Sequence, residues 1–137
     1  MIRQSFFTLA VLVALGLGSA MVHADPGDRQ VEIYRIVPGQ HAAFLRFVAL
    51  CDEANARAGL PPRELYVHKD GASWDFILIQ QEDLTPEQSK ALDAAFKALK
   101  IPQGGKFFIA IRQYIAEHSD TVATGPTTAA EWLKKLD

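Results

Sequence analysis

The stretch VEIYRIVPGQHAAFLRFV, residues 31–48, holds a strand, a stop and a helix in direct succession. Val31–Val37 is rich in β-branched and aromatic residues, the composition of a pleated, half-buried strand. Pro38-Gly39 stops it. A helix is then predicted from about Gln40 to Ala58, because Phe44, Phe47, Val48, Cys51, Ala54 and Ala58 recur at steps of three and four. Arg46, Asp52, Glu53 and Arg57 lie largely off that stripe. Gly59 is a natural helix terminator, and Pro61-Pro62 prevents resumption.

Downstream, Arg63–Lys69 reads as a second strand and Ser73–Gln80 as a third, joined by the Asp70-Gly71 hairpin signal. Thr85-Pro86-Glu87-Gln88 opens a helix, with Thr85 as N-cap, Pro86 at the first helical position and Gln88 closing a capping box. Its apolar stripe is Leu92, Ala95, Phe96 and Leu99, and Ile101–Gly105 ends it. Lys106–His118 gathers Phe107, Phe108, Ile111, Tyr114, Ile115 and His118 into one arc of roughly 120° at about 100° per residue, which favours a helix. As a strand it fails at Arg112-Gln113, where alternation breaks. Asp120–Thr124 is then a short fourth strand, broken by Gly125-Pro126. Thr128 and Glu131 make a capping box for a last helix carrying Trp132 and Leu136. The polar segment Asp25–Gln30, with Pro26-Gly27, is expected to be a loose arm.

The order is βαββαβ with an extra helix before the last strand and a C-terminal helix. That is an α+β, ferredoxin-like plan with a four-stranded antiparallel sheet. Strand three is apolar on both faces, with Trp74, Phe76 and Leu78 opposed by Ile77 and Ile79. In strand one, Val31, Ile33 and Val37 oppose Tyr34 and Ile36. The helices of one subunit cover only one face of such a sheet, so a second copy is expected on the other, in a two-fold homodimer.

Upstream of all this, residues 1–24 read as a secretory signal peptide. Arg3 supplies the charged start, Phe6–Leu17 the short apolar middle, and Val22-His23-Ala24 the small residues at −3 and −1. Cleavage is expected after Ala24, with Ala20 as a second option. Residues 25–137 are then one domain that is periplasmic or secreted. Loss of Arg3 leaves 13 basic against 16 acidic residues, a net charge of −3. With no basic run, nucleic acid is not an expected partner. No second apolar stretch is long enough to span a membrane. Cys51 is the one cysteine, so no intramolecular disulfide forms. A buried thiol, an intermolecular bridge and a reactive group are its three readings, and its place on the apolar helix face favours burial.

The run of residues 31–48, followed by strand, Asp-Gly hairpin and strand, resembles the dimeric α/β-barrel superfamily. Within it the chain is most similar to the antibiotic-biosynthesis-monooxygenase and NIPSNAP-like branches. The resemblance covers roughly Val31–Leu99 and the last strand. It implies two sheets facing each other in a dimer, with a pocket in each subunit between sheet and helices. Members include cofactor-free oxygenases, haem-binding enzymes, lyases and proteins with no assigned activity. No family catalytic motif maps onto this chain, so fold analogy supplies no reaction.

The residues able to carry chemistry are few. His118 is the first candidate for a general base or a haem ligand, against the commoner capping role of a histidine at a helix C-terminus. His41 is expected to be solvated. Tyr34, Tyr66, His68, Trp74 and Tyr114 are candidates for a polar-tipped aromatic pocket, against the plainer role of filling core and interface. Arg112 falls outside the apolar arc. No H-x-x-x-H or C-x-x-C spacing exists and the histidines are spread singly, so no metal site is expected. Ser119 lacks a nucleophile-elbow setting. Gly104-Gly105 lacks a P-loop lysine and reads as a helix start. The expected function is small-molecule binding without a required cofactor, haem being a minor option. The alternative is cofactor-independent oxygenation or isomerisation of a small apolar aromatic compound.

Overall fold

The computed structural model describes residues 27–71 and 73–136. The expected leader, residues 1–24, lies outside them. Eight elements follow in chain order: β1 (Gly27–Ile36), α1 (His41–Arg57), β2 (Glu64–Val67), β3 (Phe76–Gln81), α2 (Pro86–Ala98), α3 (Gly105–Arg112), β4 (Ile115–Gly125) and α4 (Ala129–Leu133). The strands form one antiparallel sheet in the order β2-β3-β1-β4, so the first strand sits in the interior and the last closes an edge. This is the ferredoxin-like α+β arrangement that the order of elements predicts. No helix among the described residues is long and apolar enough to cross a membrane.

The turn after β1 reverses the chain through Gly39, whose φ of +82° suits glycine, and the Gln40 N–H closes it on the Val37 carbonyl at 2.9 Å. Helix α1 then lays Phe44, Val48, Cys51 and Ala54 against the protein interior, as the stripe requires. Gly59, at φ +71°, ends it, with the Leu60 N–H donating back to the Asn55 carbonyl at 3.0 Å. Both predicted capping boxes are present, Thr85 with Gln88 on α2 and Thr128 with Glu131 on α4.

Two apolar clusters hold the layers together. Tyr34 and Ile36 of β1, Phe44 and Val48 of α1, and Phe76 and Leu78 of β3 form the first, between sheet and helix. Phe44 is fully buried and stacks on Phe76 with ring centroids 5.6 Å apart. Cys51, Ala54, Ala95 and Ile101 form the second, where α1 meets α2. On the opposite face of the sheet Val31 lies across from Ile79, and Ile33 across from Ile77, all four half-buried. The sheet is therefore apolar on both faces.

Three local expectations are corrected. Lys106–His118 is not one helix: α3 stops at Arg112, and β4 begins at Ile115, well before Asp120. The Arg112-Gln113 pair that breaks alternation is the junction. Tyr114 and Ile115 still pack against the first cluster from beyond it, which is why they completed a helical arc. Residues 27–30 are not a loose arm, because β4 runs far enough to pair Gly27 with Gly125. The hairpin between β2 and β3 is not a two-residue turn. Its last ladder pair is Val67 with Phe76, followed by the His68 N–H donating to the Asp75 carbonyl at 2.9 Å, so Asp70-Gly71 lies inside a longer loop.

Phe44→Ala is expected to cost about 3–5 kcal/mol, the usual result of emptying a fully buried aromatic site. Urea unfolding should show it as a lower midpoint at unchanged slope. A change below about 1 kcal/mol would mean that the sheet–helix cluster is not the core.

Candidate functional site

Side chains alternate along a strand, so Gln30, Glu32 and Tyr34 share the helix-facing side of β1. Between that face and the helices lies a cavity of about 350 Å³. Its apolar wall includes Phe47, Cys51, Leu92, Phe96, Phe107 and Ile111; its polar wall includes Glu32, Tyr34, Asn55 and Arg63. A second cavity, about 340 Å³, opens toward β4 and is lined by His118 and Asp120. Glu32, Tyr34, Phe107, Phe108 and Ile111 line both. Glu32 and Tyr34 thus stand where an apolar chamber meets a polar one.

The register of the β1–β4 ladder sets this polar corner. Glu32 lies directly across from Asp120, and Tyr34 directly across from His118. The His118 ring stacks on the Tyr34 ring at 4.4 Å and 11°, and its Nε2 meets Asp120 Oδ1 at 2.7 Å. The Tyr34 hydroxyl and the Glu32 carboxylate are hydrogen-bond partners. Burial pushes the Glu32 carboxyl above the ordinary carboxylate range, opposed by the Arg63 guanidinium. Burial, reinforced by Glu32, pushes the Tyr34 hydroxyl well up, so it stays a neutral donor. Arg63 is itself nearly buried; its Nε donates to Asp52 Oδ1 at 2.6 Å and its Nη2 to the Val48 carbonyl at 3.1 Å. It therefore ties the start of β2 to the middle of α1. Burial pushes the Cys51 thiol up to about 11, which keeps it protonated at neutral pH.

The structure brings two of the six residues proposed from sequence, Tyr34 and His118, to this corner. His118 reaches the corner from β4 rather than from the end of a helix, so a C-terminal capping role does not apply. Tyr66 lies on the other face of the sheet, in register with Ile77, half-exposed and bonded to Glu64 at 2.9 Å. His68 and Trp74 sit together in the β2–β3 loop, rings 5.1 Å apart, beside a separate hollow that also includes His41 and Asp75. There Asp75 Oδ2 accepts the Ile36 N–H at 2.7 Å, which holds its carboxyl below the ordinary range. Tyr114 packs into the first core cluster, 6.0 Å from the Phe47 ring. Glu32, Asp120 and Arg63 are the site residues that pattern reading missed. Glu32 was legible in principle, as an acid sharing the face of the buried Tyr34.

Haem, which the family resemblance allows, does not fit this corner. A porphyrin is a flat apolar plate, whereas His118 is bonded to the Asp120 carboxylate and shares its cavity with Glu32.

No protein-family model matches the chain, and no curated protein matches it. Solved structures do. A NIPSNAP family protein from Agrobacterium tumefaciens aligns over 78% of this chain and 91% of its own, with a TM-score of 0.50 at 15% identity. The chain shares its fold with that protein. A second NIPSNAP family protein of unknown function from Agrobacterium tumefaciens aligns over 78% of this chain and 96% of its own, with a TM-score of 0.48 at 14% identity. An antibiotic biosynthesis monooxygenase-like protein from Chloroflexus aurantiacus covers 74% of this chain and 96% of its own, with a TM-score of 0.36 at 20% identity. At 15% identity the likeness to the first of these speaks for the ferredoxin-like fold alone and carries no reaction with it.

The buried, protonated Cys51 thiol should react with a thiol reagent such as dithionitrobenzoate at pH 8 at least about tenfold more slowly in the folded protein than in urea. Equal rates would place the thiol at the surface.

Proposed function

We propose that this chain is a small-molecule-binding protein whose ligand is compact, largely apolar and aromatic. The cavity between sheet and helices carries the reading. Its volume, about 350 Å³, lies at the small end of the range for ligand sites. Its walls combine the Phe47, Phe96 and Phe107 rings with a short polar edge at Glu32, Tyr34 and Asn55. Such a site takes up an aromatic body by apolar burial and orients it through one or two polar groups.

Binding is favoured over cofactor-independent oxygenation or isomerisation by how the polar groups are engaged. Glu32 is partnered by Tyr34, His118 by Asp120, and Arg63 by Asp52. The histidine expected as a base belongs to the outer chamber and does not line the apolar one. The leader motif of residues 1–24 supports a site of action outside the cytoplasm.

A homodimer belongs to the same reading. Val31, Ile33, Ile77 and Ile79 form an apolar centre on the face away from the helices, rimmed by Arg35, Glu64, Glu117 and Ser119. An apolar patch with a polar rim is the anatomy of a protein interface, and a second copy of the sheet would cover it with a matching surface.

The fluorescent probe N-phenyl-1-naphthylamine should bind the mature protein saturably, with one site per chain. Ile111→Trp, which fills the cavity, should abolish binding, and Phe108→Ala at the exposed rim should weaken it severalfold. Absence of saturation, or binding that ignores both changes, would overturn the cavity reading. Light scattering during size exclusion should give twice the chain mass, and Ile77→Asp should halve it while leaving far-ultraviolet dichroism intact. A monomeric wild type would refute the sheet-to-sheet dimer.

A further inference from the structure

We propose that Glu32, His118 and Asp120 form a binding site for one divalent transition-metal ion. One ligand atom from each residue lies within 4.8 Å of the other two. Two ligands held at about 2.1 Å from one ion are separated by about 3 Å when adjacent and about 4.2 Å when opposite. The present spacing is close to what a single ion requires.

Three features make this more than a chance gathering of acids. First, the donors stand on a paired ladder rather than a loop. Glu32 and Asp120 are register partners across β1 and β4, and His118 is two residues before Asp120 on the same face. Second, the imidazole is held in place, its ring stacked on the buried Tyr34. Third, two carboxylates directly opposite each other on neighbouring strands repel, and a cation at their meeting point would add to the relief that Tyr34 and Arg63 give Glu32 and that His118 gives Asp120.

The donor set selects the class of ion. One imidazole nitrogen with two carboxylate oxygens suits Zn²⁺, Mn²⁺ or Fe²⁺; magnesium and calcium prefer oxygen alone, and soft ions need thiolates. Three protein ligands leave coordination positions open, and these face the outer cavity of about 340 Å³. Sequence spacing could not show the site, because Glu32 lies 86 positions before His118 and 88 before Asp120, on another strand.

The competing account is a closed hydrogen-bond network in which a protonated His118 is the cation. The two are separated by titrating tag-free mature protein, stripped with chelator, with ZnCl₂ by calorimetry and with MnCl₂ by electron paramagnetic resonance. One ion per chain is expected, with a rise in melting temperature. Glu32→Gln, His118→Ala and Asp120→Asn should each weaken binding by at least about tenfold. His41→Ala, which removes the exposed histidine beside Asp75, should leave it unchanged. His118 and Asp120 are exposed, so their variants decide the question if Glu32→Gln fails to fold. Binding no tighter than millimolar, or binding that survives His118→Ala and Asp120→Asn, would overturn the proposal. No cavity ligand enters the experiment, so its outcome is independent of the binding function proposed above.

Discussion

Strand β1 is hydrogen-bonded along both edges, to β3 on one side and β4 on the other, and the molecule is organised around that double pairing. Because side chains alternate, fixing its register fixes both faces of the sheet at once. Tyr34 is turned into the core, Glu32 onto the cavity wall, and Val31 and Ile33 to the face without helices. A slip of one residue would exchange these sets, placing Ile33 under the helices and Glu32 on the open face. The burial of Phe76, Leu78, Phe44 and Val48 around Tyr34 opposes any such slip.

That constraint explains a polar corner on the edge of an apolar chamber. Carboxylates withdrawn from water are stable only where other groups replace its hydrogen bonds and charge. Here the Tyr34 hydroxyl and the Arg63 guanidinium serve Glu32, while the exposed Asp120 is paired with His118. Arg63 is held in turn by Asp52 and the Val48 carbonyl, so the electrostatics of the sheet wall are tied to the position of α1. The aromatic residues around Phe107 close the other side. Apolar burial and polar satisfaction meet along the one line of residues that both chambers share.

Much of the fold was legible because it is written locally. The α1 stripe, the Gly59 stop and both capping boxes depend on residues within a few positions of one another, and all are present. The misread segment depends on distant partners. Residues 115–125 are mostly exposed on both faces, so they carry no alternation of burial to announce a strand. Their strand character comes from backbone hydrogen bonds to β1. The same holds for residues 27–30, which are polar yet paired. The site was legible only in part. An aromatic pocket suggests itself from the tyrosines and tryptophan, but which sheet face each occupies is decided by pairing, and Tyr66 fell on the far side from Tyr34.

The amino-acid sequence by itself determined the order of elements, the caps, the burial of the α1 stripe and the two-sided apolarity of the central strands. Each of these follows from short-range periodicity and local backbone preference. Only the tertiary structure decided that α3 ends at Arg112, that His118 stacks on Tyr34, and that Glu32 faces Asp120. Those relations arise where β4 returns to pair with β1. No local pattern encodes that pairing; it is set by closure of the sheet over a shared core.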